Sequence, residues 1–384
     1  MIAYGRQEVT QADIDAVVAA LQSDFLTQGP VVPAFEQAVA ARVNAPYAVA
    51  TNSATSALHI ACMALGLGSG DRLWTVPNTF VASANCGRYC GAAVDFVDID
   101  PQTWNLSIAA LSDKLAVAAC AGQLPKVLVP VHFSGQPTDQ EAIWALAQRY
   151  GFKVLEDASH AIGASRNGEP VGSCRWSDIT VLSFHPVKVI TSAEGGMALT
   201  RQADLANRMR MLRTHGITRD RLRLTDPDPP AWCYEQQMLG FNYRMTDVLA
   251  ALGLSQLSRL AAYVARRNAL ARRYDVALQG LALQLPTVRP ENLSAFHLYV
   301  VRRTGVTDPL AHRRLFDSLR EHGVGVSLHY PPVHLQPYYR ALGFGAGRFP
   351  EAEAHGSSAI TLPLYPSMTD AQQHEVVRVV KEIV

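Results

Sequence analysis

The chain is predicted to be an α/β protein built on a mostly parallel seven-stranded sheet between helices, with a smaller α/β unit after it. Two observations carry this. Between Tyr47 and about Thr200, short apolar runs (47–50, 72–75, 94–97, 127–131, 154–155, 179–183 and 197–199) alternate with stretches of helical character. Strands separated by a helix's worth of residues need crossovers, and crossovers put helices on both faces of a parallel sheet. The second observation is size: 384 residues, 48% of them hydrophobic, bury one large core and a lesser one.

Taken in order, the first 45 residues read as an N-terminal arm. Thr10 precedes Ile14, Val17, Val18 and Leu21 at helical spacing. Gly29-Pro30 then breaks the pattern before a second helix through Phe35 and Val39. Residues 46–250 hold the strand-rich unit. A helical zone from Met238 to about Leu278 links it to a C-terminal part, the whole of 251–384 forming a linking helix and small domain. In that part Phe296–Val301 and Gly325–His329 read as strands, and the proline-rich stretch 221–230 as an exposed loop.

Charge excludes some functions. Lys plus Arg number 34 against 33 for Asp plus Glu, so no field steers the chain to nucleic acid or an anionic membrane. Every apolar run is interrupted well before the length that spans a bilayer. The six cysteines have no CxxC spacing, which favours reduced thiols and a cytoplasmic protein.

The candidate chemistry lies at the ends of the predicted strands. Thr51-Asn52-Ser53-Ala54-Thr55-Ser56-Ala57 follows the first strand and opens a helix, where backbone N–H groups and hydroxyls suit a phosphate or an ordinary helix cap. Phe80 follows the second strand, where an aromatic face either stacks on a planar ring or joins the core. Asp157 ends the fifth strand, with His160 three residues on; the acid serves as a helix cap or as the partner of a cationic group. Lys188 lies in Ser183-Phe184-His185-Pro186-Val187-Lys188, followed by Thr191, Ser192, Gly195 and Gly196, so small side chains surround one amine. An amine and a carboxylate so placed fit the two ends of pyridoxal 5'-phosphate, the amine as imine nucleophile and the acid as partner of the ring nitrogen. Ser183 is a further donor to its phosphate.

These segments, with Phe80-Val81-Ala82-Ser83-Ala84-Asn85, Glu156-Asp157-Ala158-Ser159-His160-Ala161 and Gly240-Phe241-Asn242-Tyr243-Arg244-Met245, occur in the order seen in the DegT/DnrJ/EryC1/StrS sugar-nucleotide aminotransferases, which the whole chain resembles. The resemblance implies fold type I of the pyridoxal phosphate enzymes and a homodimer with shared active sites. It makes Lys188 the Schiff-base lysine, Asp157 the pyridinium partner and Phe80 the stacking aromatic. Ala54, Thr55 and Ser183 become phosphate contacts, with Asn242 contributed by the second subunit. His160 stands where many members have Gln, as the contact to the phenolic oxygen.

Tyr4, Leu26-Thr27-Gln28-Gly29, Ser159-His160 and Thr191–Gly196, with His329-Tyr330 and Pro332, most resemble the transaminases of pseudaminic acid biosynthesis. That likeness implies a UDP-linked 4-keto-6-deoxy sugar as substrate, L-glutamate as amino donor and ping-pong kinetics. Tyr4, Thr27, His329 and Tyr330 are the substrate-side candidates. Arg244 offers a planar fork to an anion or to a structural ion pair. Pro186, Val187 and Val189 depart from the residues expected beside the lysine, which points to a relative with another sugar. A different UDP-, GDP- or dTDP-linked keto sugar, a dehydratase on the same fold, and a cofactor-binding regulator are the other readings. Dehydratase relatives replace the lysine with histidine, and here Lys188 is present.

Overall fold

The computed structural model describes residues 1–305 and 308–384. Seven strands form the central sheet: β1 (Tyr47–Thr51), β2 (Arg72–Thr75), β3 (Ala93–Phe96), β4 (Val127–Val129), β5 (Lys153–Asp157), β6 (Ile179–Ser183) and β7 (Gly196–Thr200). Their order is β1-β7-β6-β5-β4-β2-β3. Strands β3, β2, β4, β5 and β6 run parallel, and β7 alone is reversed, pairing antiparallel with both β6 and β1. The predicted mostly parallel sheet is therefore present. Residues 154–157 of β5 and all of β6 are buried because helices cover both faces.

Helices α1 (Gln11–Leu21), α2 (Val31–Val43), α3 (Ala54–Ala64), α4 (Ala82–Tyr89), α5 (Ile108–Ala121), α6 (Gln140–Tyr150) and α7 (Ala203–Arg213) precede α8 (Asp247–Leu257) and α9 (Leu260–Leu278). One apolar core joins α3, α4, α5 and α6 to the sheet, and a second joins α2 and α8 to it. A third lies in the C-terminal part, between α9, α10 (Pro309–Glu321), the final helix α11 (Asp370–Ile383) and a small antiparallel sheet. That sheet holds Leu283–Gln284, β8 (Tyr299–Arg303) and β9 (Ala359–Leu362).

The structure corrects three expectations. Helix does not begin at Met238 but at Asp247, because 238–246 packs tightly against the end of α7: a Cβ on Gly240 would lie 2.2 Å from Gly216 N. The strand expected from Phe296 begins at Tyr299, since Phe296 has a left-handed φ of 43°. Gly325–His329 is not a strand; it makes only a bridge, Ser327 to Thr361, on its way to the cleft. The stretch 221–230 is mostly exposed and holds one short turn of 3-10 helix.

Because β2, β4, β5, β6 and β1 all point one way, their carboxyl ends meet on one side, where open α/β sheets collect ligands. Tyr4 and His329-Tyr330 reach that side from elsewhere in the chain. The arm's first residues pair with the C-terminal part, Ile2 N donating to Gly323 O and Leu364 N to Tyr4 O.

Candidate active site

A cavity of about 340 Å3 opens over these carboxyl ends. Of the residues singled out in the sequence, Tyr4, Ala54, Thr55, Phe80, Asp157, His160, Ser183, Lys188, His329 and Tyr330 line it. Thr27, Asn242 and Arg244 do not. Thr27 is exposed and bridged to Thr246, and Asn242 is exposed and bridged to Thr214.

At one end lies the start of α3. Ser53 caps it: its Oγ accepts from Ser56 N at 3.1 Å, and its carbonyl accepts from Ala57 N at 3.1 Å. The N–H groups of Ala54 and Thr55 precede the first intrahelical bonds and so remain open to a ligand. They carry the positive end of the helix dipole. Gly196 of β7 crosses directly beneath, where a Cβ would stand 2.5 Å from Ala54 N. Only glycine allows strand and helix start to approach this closely.

Asp157 is buried at the end of β5. Its Oδ2 accepts from Ser83 Oγ at 2.7 Å and its Oδ1 from Ser159 N at 3.1 Å. Since Ser83 spends its proton on the carboxylate, Thr79 donates to Ser83, at 2.8 Å. The acid is thus held by a chain of hydroxyls from the segment that also carries Phe80, which is 59% exposed toward the cleft. Lys188 follows a turn in which its N–H donates to His185 O at 2.9 Å. Desolvation brings its pKa down to about 8, against the pull of the Asp157 carboxylate. Among the described residues its ammonium nitrogen has no hydrogen-bond or ion-pair partner.

The third wall comes from the C-terminal part. His329 Nδ1 lies 2.8 Å from Thr361 Oγ1 on β9, and Tyr330 N donates to Asn78 Oδ1 at 3.2 Å. Desolvation, aided by the charge of Lys188, lowers the pKa of His329 to about 3, so it is neutral. His160 is engaged on both sides. Ser134 N donates to its Nδ1 at 3.3 Å, and its Nε2 lies 3.0 Å from Tyr330 Oη.

Open helix N–H groups, an unpartnered low-pKa amine, a fixed carboxylate and an exposed aromatic together make a site for an aromatic aldehyde bearing a phosphate. The model of the DegT/DnrJ/EryC1/StrS aminotransferase family matches residues 7–381. The chain belongs to this family. It is similar to the spore coat polysaccharide biosynthesis protein SpsC of Bacillus subtilis (strain 168), with 38% identity over 99% of this chain and 96% of SpsC. Among solved structures it is similar to PseC of Helicobacter pylori, an aminotransferase involved in the biosynthesis of pseudoaminic acid. The TM-score is 0.90 and the identity 27%, covering 100% of this chain and 98% of PseC. The putative sugar aminotransferase Spr1654 of Streptococcus pneumoniae, in its PMP form, superposes with a TM-score of 0.91 at 27% identity, over 100% of this chain and 99% of that one.

The protein is accordingly a pyridoxal phosphate-dependent sugar aminotransferase with the fold type I architecture. Several residues of the site had no individual role in the sequence reading: Thr79, Ser83, Ser134, His185 and Glu194. Ser83 lies within a quoted motif, three residues after Phe80. Its tie to Asp157, 74 positions away, exists only once β2 and β5 are ordered in the sheet.

Proposed function

We propose that this aminotransferase converts UDP-2-acetamido-2,6-dideoxy-β-L-arabino-hex-4-ulose to UDP-4-amino-4,6-dideoxy-N-acetyl-β-L-altrosamine, with L-glutamate as donor. The observation that carries the reading is the cavity in which the Lys188 amine and the Asp157 carboxylate stand with the open start of α3. Pyridoxal 5'-phosphate, when bound, supplies an aldehyde that condenses with amines and a ring that accepts electrons from the adjacent carbon. Lys188 is the residue to hold it covalently, Asp157 its ring nitrogen, and Phe80 a ring face. Ala54, Thr55 and Ser183 are the residues for its phosphate.

Lys188, once displaced by the donor's amine, is the base that takes the proton from the donor's α-carbon and returns it to the sugar carbon. Its lowered pKa suits both tasks, because a useful fraction is unprotonated near neutral pH. Asp157, fixed by Ser83 and Ser159, keeps one orientation toward the ring nitrogen. Tyr4, His329 and Tyr330 form the wall that meets the sugar.

Thr27, Asn242 and Arg244 lie outside this cleft, and near Thr27 the side chains of Leu21, Phe25 and Leu26 are exposed. We assign this face to a second copy of the chain, with Asn242 serving the partner's phosphate site. Among the described residues no single helix is long and apolar enough to cross a membrane, and all six cysteines are free. Both features suit an enzyme of the cytoplasm.

SpsC, at 38% identity against 27% for PseC, favours a second reading in which a different nucleotide-linked keto sugar is aminated for a polysaccharide. Mass analysis of products from pyridoxal phosphate, L-glutamate and UDP-linked 4-keto-6-deoxy-N-acetyl sugars of both C5 configurations separates the two. Lys188-dependent amination of the β-L-arabino epimer alone supports the first. Amination of neither epimer, with cofactor bound, rejects it in favour of the second.

A further inference from the structure

Helices α3 and α4 pack against each other and bring together three cysteines that stand on different elements. Cys62 lies on α3 and Cys86 on α4, both wholly buried, while Cys90 closes the carboxyl end of α4 and is partly exposed. The Cys62 thiol is in hydrogen-bond contact with both other sulfurs. Cys86 spends its own proton on Ser83 O, at 3.2 Å. His59 stands one turn before Cys62 on the same face of α3, and its ring is the other polar neighbour of Cys90.

The three thiols are not equivalent. The hydrogen bond from Cys62, with the His59 ring behind it, holds the Cys90 pKa down to about 6 against burial, so Cys90 is a thiolate at neutral pH. Contact with Cys86 and Cys90, together with burial, pushes the Cys62 thiol well above its ordinary value, and it keeps its proton. A thiolate within reach of solvent, beside a protonated thiol that is not, has the arrangement of a nucleophile and its resolving partner.

We propose that Cys90 and Cys62 form an oxidant-sensing dithiol whose substrate is hydrogen peroxide. The Cys90 sulfur gives two electrons to the peroxide: an S–O bond forms, the O–O bond breaks and hydroxide leaves. The Cys62 sulfur then attacks Cys90, the S–S bond forms, the S–O bond breaks, and the Cys62 proton departs with that oxygen as water. Two thiols and one peroxide become one disulfide and two waters. Cys86, buried and bonded to Ser83 O, takes no part in the first step. The new bond joins the helix whose start faces the cavity to the helix that carries Ser83, the partner of Asp157.

The test is peroxide treatment of the reduced holoenzyme at pH 7, followed by intact mass and peptide mapping. Cys120, exposed on α5, is the internal standard that shows when enough peroxide is present. The expected product has lost two hydrogens, links the Cys62 and Cys90 peptides, and returns to the parent mass with dithiothreitol. Cys62→Ser is expected to stop at the Cys90 sulfenic acid, which dimedone captures, and Cys90→Ser to form neither product. In the untreated enzyme, iodoacetamide labelling of Cys90 should be half-maximal near pH 6, against about 8.5 for an ordinary thiol. No link between Cys62 and Cys90 under peroxide that oxidises Cys120, a bridge between other cysteines, or Cys90 labelling with the pH profile of an ordinary thiol overturns the proposal. Should the serine variants fail to fold, the peptide map and labelling profile of the parent enzyme decide it.

Discussion

Helices α1 and α3 are the same length and both follow a hydroxyl cap, yet they are used in opposite ways. In α3 nearly every residue from Ser56 to Ala64 is buried, and the polar, open end faces the cavity. In α1 the apolar residues Ile14, Val18 and Leu21 are 47%, 42% and 56% exposed, while the acid Asp13 is wholly buried. Asp13 caps its own helix by accepting from Thr10 N at 2.8 Å. It also accepts from Arg259, from Ser255 at 2.6 Å and from Gln256 at 2.9 Å. Helical periodicity therefore locates a helix and its apolar stripe, but what the stripe meets is a property of the surroundings.

The comparison breaks most severely at the amine that faces the open end of α3. Lys188→Ala is expected to lower turnover on the order of 10⁴-fold, the upper range for removing a proton-transfer group, as measured by steady-state amination. The fold, read by circular dichroism, should persist.

On the α1 side, Asp13→Ala leaves Arg259 without its partner. Breaking a buried pair costs about 3 kcal/mol or more, and the part-exposed Arg259 puts this one at the low end, measurable as a drop in urea midpoint. A pH dependence accompanies it. Burial pushes the Asp13 pKa up, but donors from Arg259, Ser255 and Thr10 outweigh burial and bring it to about 2. A depressed carboxyl contributes stability above its unfolded value, near 3.9, and loses it as pH falls toward 2. The gap between the parent and Asp13→Asn should narrow over that window.

Gly196→Ala tests the other helix, since its Cβ would meet Ala54 N. We expect weaker cofactor binding by roughly tenfold, about 1.4 kcal/mol, in a fluorescence titration, because the start of α3 has to shift. A smaller effect concerns rate: reconstitution of the apoenzyme should accelerate up to about pH 8 and then level off, since only unprotonated Lys188 attacks an aldehyde. Least of all, Ile14→Ser with Val18→Ser should change the stability of the isolated protomer within about 0.5 kcal/mol. Its effect belongs to self-association, read by sedimentation.

The sequence by itself determined the alternation of strands and helices, and with it the sheet. It also located the amine, the acid and the small-residue loops, because local pattern and turn chemistry are written in neighbouring residues. It placed Asp157, Lys188 and Ser53–Ser56 at strand ends, and a parallel sheet brings such ends together. Only the tertiary structure decided which groups fix them. Ser83 meets Asp157 through the pairing order of β2, β4 and β5, and Tyr330 meets His160 because the C-terminal part folds back over the sheet. Hydrogen-bond partners 74 and 170 positions apart leave no periodicity in the chain. The state of a histidine's proton follows from partners that only folding supplies.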